Sequence, residues 1–371
     1  MYNERLTQAF LQIFRQGLWG IKEVENNLFP LSDTEWSSIY QMAEKQAVQG
    51  IIYDGIGKLA VENQPPMKLL IQWTIDIDTI ERLNRKHLAT IEFLHQYFTH
   101  KGALPFILLK GQANGQYYLN PLHRVCGDVD LYFYNQSEKA HQLIEQLGIQ
   151  IERETYRKKS NNANYHINGV PIDHRIRFIT LHNPFARKRL KDKQNEWLAA
   201  SPPIPFHINN YDVSILSPEI NHVMQVAHIL KHLLTEGIGL RQCGDLVRTT
   251  YTSHSTLNTQ LLKEILQSLG LYSFALLLYD LMIKRFGYPE EKLPFPTHAD
   301  SRTLFKEIMA SGNFGKQDER QKKSSNALQR KWYTYERVLK KCYLFIRYAP
   351  GEAFWWPIEL FYTNIKTLFK K

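Results

Sequence analysis

Hydrophobic residues recur every three or four positions through the first hundred residues and again beyond about residue 216, and they alternate with polar ones only in between. This pattern predicts helices flanking a β-containing middle, because side chains return to one face every 3.6 residues in a helix and every second residue in a strand. Phe10, Ile13, Phe14 and Leu18 mark a first helix. Ser32-Asp33-Thr34-Glu35 reads as a capping box opening a helix to about Ala47, and Pro65-Pro66 breaks the chain before a long helix over 67–100. The apolar seam of that helix is Ile80, Leu83, Leu88, Ile91, Leu94 and Phe98. Further on, Ser217 and Pro218 are placed to cap and start a helix to about Leu234, and two amphipathic helices follow within 257–286. Pro289, Pro294 and Pro296 then interrupt the pattern, and the polar stretch 316–331 reads as a mobile loop.

The middle carries the candidate chemistry. Phe106-Ile107-Leu108-Leu109 reads as a buried strand ending at Lys110-Gly111, and 127–133 as a second strand. Alternation in the second strand sends Val129, Leu131 and Phe133 to a core and sets Asp128 and Asp130 side by side on the other face. Adjacent carboxylates repel unless a cation lies between them, and a divalent ion beside a phosphate-bearing substrate meets that need. A hairpin follows, with Asn168-Gly169 as a two-residue turn. Its second arm puts Ile172, His174, Ile176 and Phe178 on one face and Asp173, Arg175 and Arg177 on the other. Ser201-Pro202-Pro203-Ile204-Pro205 then suggests a boundary, which gives three regions, 1–101, 102–205 and 206–371.

Composition narrows the partners. The 371 residues are 43% apolar, enough for a folded chain of two or three packed units. A net charge of +10 points to an anionic partner such as nucleotide phosphate, nucleic acid or an acidic membrane. Cys126, Cys243 and Cys342 form neither a disulfide framework nor a zinc pattern. The first residues lack the apolar core of a signal peptide, and no apolar run reaches membrane-spanning length, so a cytoplasmic location is expected.

Leu109-Lys110-Gly111, then Tyr118, Pro121 and Arg124, then Gly127-Asp128-Val129-Asp130 resemble the nucleotidyltransferase superfamily built like DNA polymerase β. Within it, the look-alike is a bacterial branch of uncharacterised nucleotidyltransferases in which Leu-Lys-Gly replaces Gly-Ser. That resemblance implies an α+β fold, with a nucleotidyltransferase core and a small mixed sheet flanked by N-terminal and C-terminal helices. It implies two Mg²⁺ ions and an NTP, most simply ATP, with Asp128, Asp130 and a third carboxylate, taken as Asp173, as catalytic metal ligands. Lys110, Gly111 and Arg124 are expected to meet the nucleotide. By the same resemblance His228, His232, Arg241 and Asp245 are expected to line a substrate pocket, against which stands the reading of an internal brace between two helices. Asp130 is expected in an open cleft, so that Asp130→Ala leaves the fold intact.

Other motifs have plainer readings. Asp76 and Asp78 also read D-x-D, but about 200° apart on a helix they cannot share a metal. The basic run 187–193 is read as a solvated helix face or a nucleic-acid contact. Phe354, Ile358, Phe361, Ile365 and Leu368 form one helical stripe with Lys366, Lys370 and Lys371 elsewhere, suited to capping a core or meeting a partner or, as the minority reading, to an anionic membrane. The expected function is transfer of a nucleoside monophosphate to a hydroxyl of a small molecule, protein or RNA. The alternative is a non-catalytic nucleotide- or polyanion-binding scaffold.

Overall fold

Alternation in the middle of the chain does build a sheet. The computed structural model describes residues 3–22, 27–153, 163–321 and 324–368. Among them seven strands form one mixed sheet: β1 (Ile107–Leu109), β2 (Val129–Tyr132), β3 (Glu152–Arg153), β4 (Ala163–Ile167), β5 (Val170–Arg175), β6 (Ile204–Ile208) and β7 (Tyr211–Ile215). Their order is β3-β4-β5-β2-β1-β7-β6. Thus β2 is central, antiparallel to β1 and parallel to β5. Asn168 and Gly169 take φ values of 52° and 71°, both positive as a type I′ turn requires, which locks the β4–β5 register. In β5, buried Val170, Ile172 and His174 alternate with half-buried Pro171, Asp173 and Arg175.

The expected boundary at 205 falls inside β6. The β6–β7 hairpin continues the sheet, with Ile107 of β1 paired in parallel to Ser214. A proline-rich approach marks an edge strand as well as a linker, since Pro205 on the outermost strand can do without a ladder donor.

Helices cover both faces. In Met67–Gly102, Ile91, Leu94 and Phe98 pack on Leu108, Val129, Leu131 and Phe133, while Leu83 of the expected seam lies exposed. On the other side the N-terminal and C-terminal helices share a single core, in which Phe10, Phe14, Trp36 and Trp73 meet Leu230, Phe274, Phe286 and Phe345. Trp19 Nε1 donates to the Phe286 carbonyl at 2.6 Å, and Arg248 donates to that of Leu18 at 3.0 Å. Glycine allows the closest crossing, since a Cβ on Gly17 of Glu4–Trp19 would stand 1.8 Å from the Ile51 carbonyl oxygen of Gln49–Ile56.

The capping box forms, Ser32 Oγ accepting from Glu35 N and Glu35 from Ser32 N. Ser217 does not cap Pro218–Leu234; its hydroxyl donates instead to the Ser201 carbonyl at 2.8 Å. The segment 316–331 is not a loop throughout, because Asn326 caps a helix, Ala327–Phe345, and Arg320 bridges Asp318 and Glu307. Its polarity reflects a cap and ion pairs; residues 322–323 lie outside the described part.

Within Pro184–Ala200, Arg187 meets Glu359, Arg189 donates to the Ser268 carbonyl and Lys193 approaches Glu264, so part of the basic run holds neighbouring helices. No helix among the described residues is long and apolar enough to cross a membrane. The last helix, Pro350–Leu368, presents Phe354, Ile358 and Phe361 outward. The side chains of Ile365, Lys366 and Leu368, and residues Lys370 and Lys371, are outside the described part.

Candidate active site

After β1 the backbone turns sharply. Lys110 has φ +53° and Gly111 φ +42°, and a Cβ on Gly111 would lie 3.4 Å from the Asp128 carbonyl oxygen. Glycine relieves the conformational cost at the second position. The chain then returns to β2 through a segment fixed by the N-terminal helices. Asn84 Nδ2 donates to the carbonyls of Leu122 at 2.6 Å and Arg124 at 2.8 Å, and Asn84 Oδ1 accepts from Gln112 Nε2 at 2.8 Å. A Cβ on Gly50 would stand 2.0 Å from the His123 carbonyl oxygen, so this helix approaches the segment closely.

His123 bridges two carboxylates, Nδ1 to Asp54 at 2.8 Å and Nε2 to Glu81 at 3.0 Å. Burial alone would depress its pKa, but Asp54 and Glu81 outweigh burial and raise it. A raised folded-state value means that the stabilisation is complete below about pH 6.5 and is lost as pH rises through the folded value. Thermal unfolding followed from about pH 6 to pH 8 should therefore show a falling melting temperature, and His123→Gln should flatten that dependence. An unchanged slope in the variant would remove His123 as its source.

Asp130 and Asp173 are paired residues of the parallel strands β2 and β5, which puts their side chains on one face. Asp128, just before β2, joins them: carboxylate oxygens of all three lie within 4.8 Å of one another. Asp130 is not in an open cleft as expected. It is 2% exposed, with Lys110 Nζ at 3.0 Å and Arg175 Nε at 2.9 Å, while Arg175 also reaches Asp173 at 2.6 Å. Burial would raise the Asp130 carboxyl, but these two cations outweigh it and hold it below the usual value. Asp128 is raised, first by the charge of Asp130 and then by desolvation. Asp173 is pushed up to about 6, chiefly by burial against the opposing pull of Arg175. Its Oδ1 is buried and has no hydrogen-bond partner. An orphaned oxygen and a carboxylate raised by its neighbour's charge both fit a divalent cation.

Beside the triad opens a small cleft of about 90 Å³, below the roughly 300–1,000 Å³ usual for small-molecule sites. Lys110, Arg175, Arg177, Lys231, His228 and His232 line it. His228 and His232 stack edge to face at 4.4 Å, and His232 Nδ1 meets Glu236 at 3.0 Å. Burial, ahead of nearby cations, holds His228 well below the usual imidazole range, and burial also lowers His232. Both rings are therefore neutral near pH 7 and can offer hydrogen bonds.

The other expected site residues lie apart from this wall. Arg124 Nε and NH2 donate to the two oxygens of Asp245 at 2.7 and 2.5 Å, with both side chains buried, and Tyr118 Oη donates to Asp245 at 2.9 Å. Arg241 donates to the Val125 carbonyl at 3.0 Å and stands over the Phe314 ring. Burial and then Arg124 lower its pKa. Asp76 accepts from Tyr40 and Asp78 pairs with Arg82, both away from the triad.

A family described as "Uncharacterised nucleotidyltransferase" matches this sequence over residues 32–287. The chain belongs to this family. Among solved structures, a nucleotidyltransferase-like antigenic protein from Paracoccidioides brasiliensis is 14% identical over 52% of this chain and 86% of its own, with a TM-score of 0.30. No curated protein matches the chain. The match to the uncharacterised nucleotidyltransferases spans every strand among the described residues and the helix bearing His228, and it ends before the last two long helices.

Two contributors to this wall, the double role of Arg175 and the position of Lys231, were not among the residues expected from the sequence. Arg175 was visible only as a neighbour of Asp173 two positions away; its bond to Asp130 depends on the β2–β5 pairing. Lys231 had a local signal, lying three residues after His228 on one helix and so near the same face.

Proposed function

We infer that this nucleotidyltransferase transfers a nucleoside monophosphate from an NTP, most simply ATP, to an acceptor hydroxyl with Mg²⁺. The observation that carries this reading is the convergence of Asp128, Asp130 and Asp173 beside a cleft lined with cations. Asp128, Asp130 and Asp173 would hold the divalent ions, which when bound neutralise phosphate charge and favour in-line displacement.

The chain's own groups supply the rest. Lys110, Arg175, Arg177 and Lys231 attract the triphosphate, while the neutral His228 and His232 donate or accept hydrogen bonds at the same wall. Asp173, whose buried Oδ1 has no hydrogen-bond partner in the free chain, is the carboxylate assigned to take the acceptor's proton. The acceptor oxygen bonds to the α-phosphorus, the bond from that phosphorus to the bridging oxygen breaks, pyrophosphate leaves, and the hydroxyl proton goes to Asp173. Arg124 and Asp245 act as an internal brace that positions the segment leading into β2. An NTP donor accords with the cytoplasm.

Titration calorimetry with a non-hydrolysable ATP analogue tests the assignment. Binding should require Mg²⁺ and weaken at least about tenfold in Asp128→Asn, since loss even of a ligand's outer partner costs roughly 10–100-fold. Binding indifferent to both metal and carboxylate would identify a non-catalytic polyanion-binding scaffold instead.

A further inference from the structure

Two helices outside the family match carry an apolar surface that the fold does not use. On Ala327–Phe345, Leu328, Trp332, Tyr335, Leu339 and Tyr343 follow the helical repeat along one stripe. On Pro350–Leu368, Phe354, Ile358 and Phe361 do the same. Trp332 is 63% exposed, Tyr343 81%, Phe354 57% and Phe361 54%. The rings of Tyr335 and Phe361 lie 6.0 Å apart, joining the stripes into one surface. The opposite faces, with Val338, Cys342, Phe345, Ala353 and Trp356, are buried in the protein, so these helices are already anchored without the stripe.

Charge selects the occupant. Residues 327–371 hold nine Lys and Arg against three Asp and Glu; with Lys341 buried against Glu307, eight of these cations remain. The three acids are engaged within the protein: Glu336 with Lys340, Glu352 with the backbone amides of His182 and Asn183, and Glu359 with His182 and Arg187. Lys340, which flanks the first stripe by the helix repeat, and Arg347, in the turn just after that helix, are both exposed. A two-fold contact between copies would set this basic rim against itself, whereas an anionic bilayer complements it. Tyr and Trp suit the headgroup level because their rings are apolar with a polar edge.

We propose that this helical pair rests on an anionic lipid surface, with the aromatic stripe inserted at the headgroup–acyl boundary and the flanking Lys and Arg on lipid phosphates. Neither helix is suited to crossing the bilayer, and lying in the interface is the alternative for an amphipathic basic helix. The surface is separate from the triad and does not depend on the transfer reaction.

Sedimentation of the full chain with vesicles tests this. Phosphatidylcholine vesicles containing phosphatidylglycerol should bind the protein at least about tenfold more tightly than phosphatidylcholine alone, and added salt should weaken binding. Lys340→Glu/Arg347→Glu and Trp332→Ser/Phe361→Ser should each reduce binding at least about tenfold while the melting temperature holds, since all four residues project from the fold. Brominated acyl chains should quench the tryptophan fluorescence of the unaltered protein, a readout needing no variant. Binding indifferent to lipid charge, or no quenching, would overturn the proposal. So would a concentration-dependent dimer abolished by Trp332→Ser, which would give the face to a second copy, or variant-sensitive binding to RNA with none to vesicles.

Discussion

Asp128→Asn should leave the protein at least as heat-stable as the parent, whereas Asp130→Asn should lower its melting temperature, although both remove metal-dependent nucleotide binding. The two carboxylates are two residues apart but in opposite electrostatic states. The Asp128 pKa is raised by the charge of Asp130 and by desolvation, so its ionised form is disfavoured in the folded protein and its contribution worsens as pH rises. Neutral Asn removes that penalty. The Asp130 pKa is lowered because Lys110 and Arg175 outweigh burial, so its charge stabilises the fold above the unfolded carboxylate value and that gain is lost as pH falls through the folded value.

Removing the Asp130 charge leaves Lys110 and Arg175 facing one another without their shared counter-ion. The cost is about 3 kcal/mol, the lower end of the range for breaking a buried pair, because both cations keep some solvent contact. This replaces the expectation that a substitution at Asp130 spares the fold. Thermal unfolding at neutral pH beside calorimetric titration of Mg²⁺ and the ATP analogue provides the check. Equal melting temperatures would show that the ion pairs contribute little, and Mg²⁺-dependent binding retained in Asp128→Asn would remove that residue from the metal site.

The second large effect lies in the brace. Asp245→Ala should cost about 3–5 kcal/mol, because it strands the buried Arg124 guanidinium close to Arg241, which already lacks a partner for Nε. Arg124→Ala strands Asp245 in turn, leaving it only the Tyr118 hydroxyl. The double variant should lose less than the sum of the two, by about 1–3 kcal/mol of coupling, in a double-mutant cycle read by denaturant unfolding. A direct phosphate contact by Arg124 would give a different result, with nucleotide affinity reduced in Arg124→Ala and stability unchanged. That outcome would restore the nucleotide-binding role expected from the resemblance and set aside the brace.

Local signals carried much of the architecture. The capping box at Ser32, the helix break at Pro66, the Asn168-Gly169 turn and the alternation in β2 and β5 depend on backbone preferences and periodicity within a few residues, and these are written in the chain. The pairing of Asp128 with Asp130 was legible for the same reason, as was the face that Asp173 shares with Arg175.

Tertiary contacts decided what those residues meet. Only the parallel register of β2 and β5 sets Asp173 beside Asp130 and brings Arg175 onto both. Burial of Asp130, the joining of Arg124 to Asp245 across 121 positions, and the sharing of one core by the first and last helices arise from packing between distant segments. The edge position of β6, which makes Pro205 part of the sheet, is likewise set by strand order. The sequence by itself determined which side chains share a face. Which faces meet, and therefore which charges are paired, buried or left open to a ligand, was decided by the tertiary structure, because electrostatic energy depends on distances and desolvation that separation along the chain does not encode.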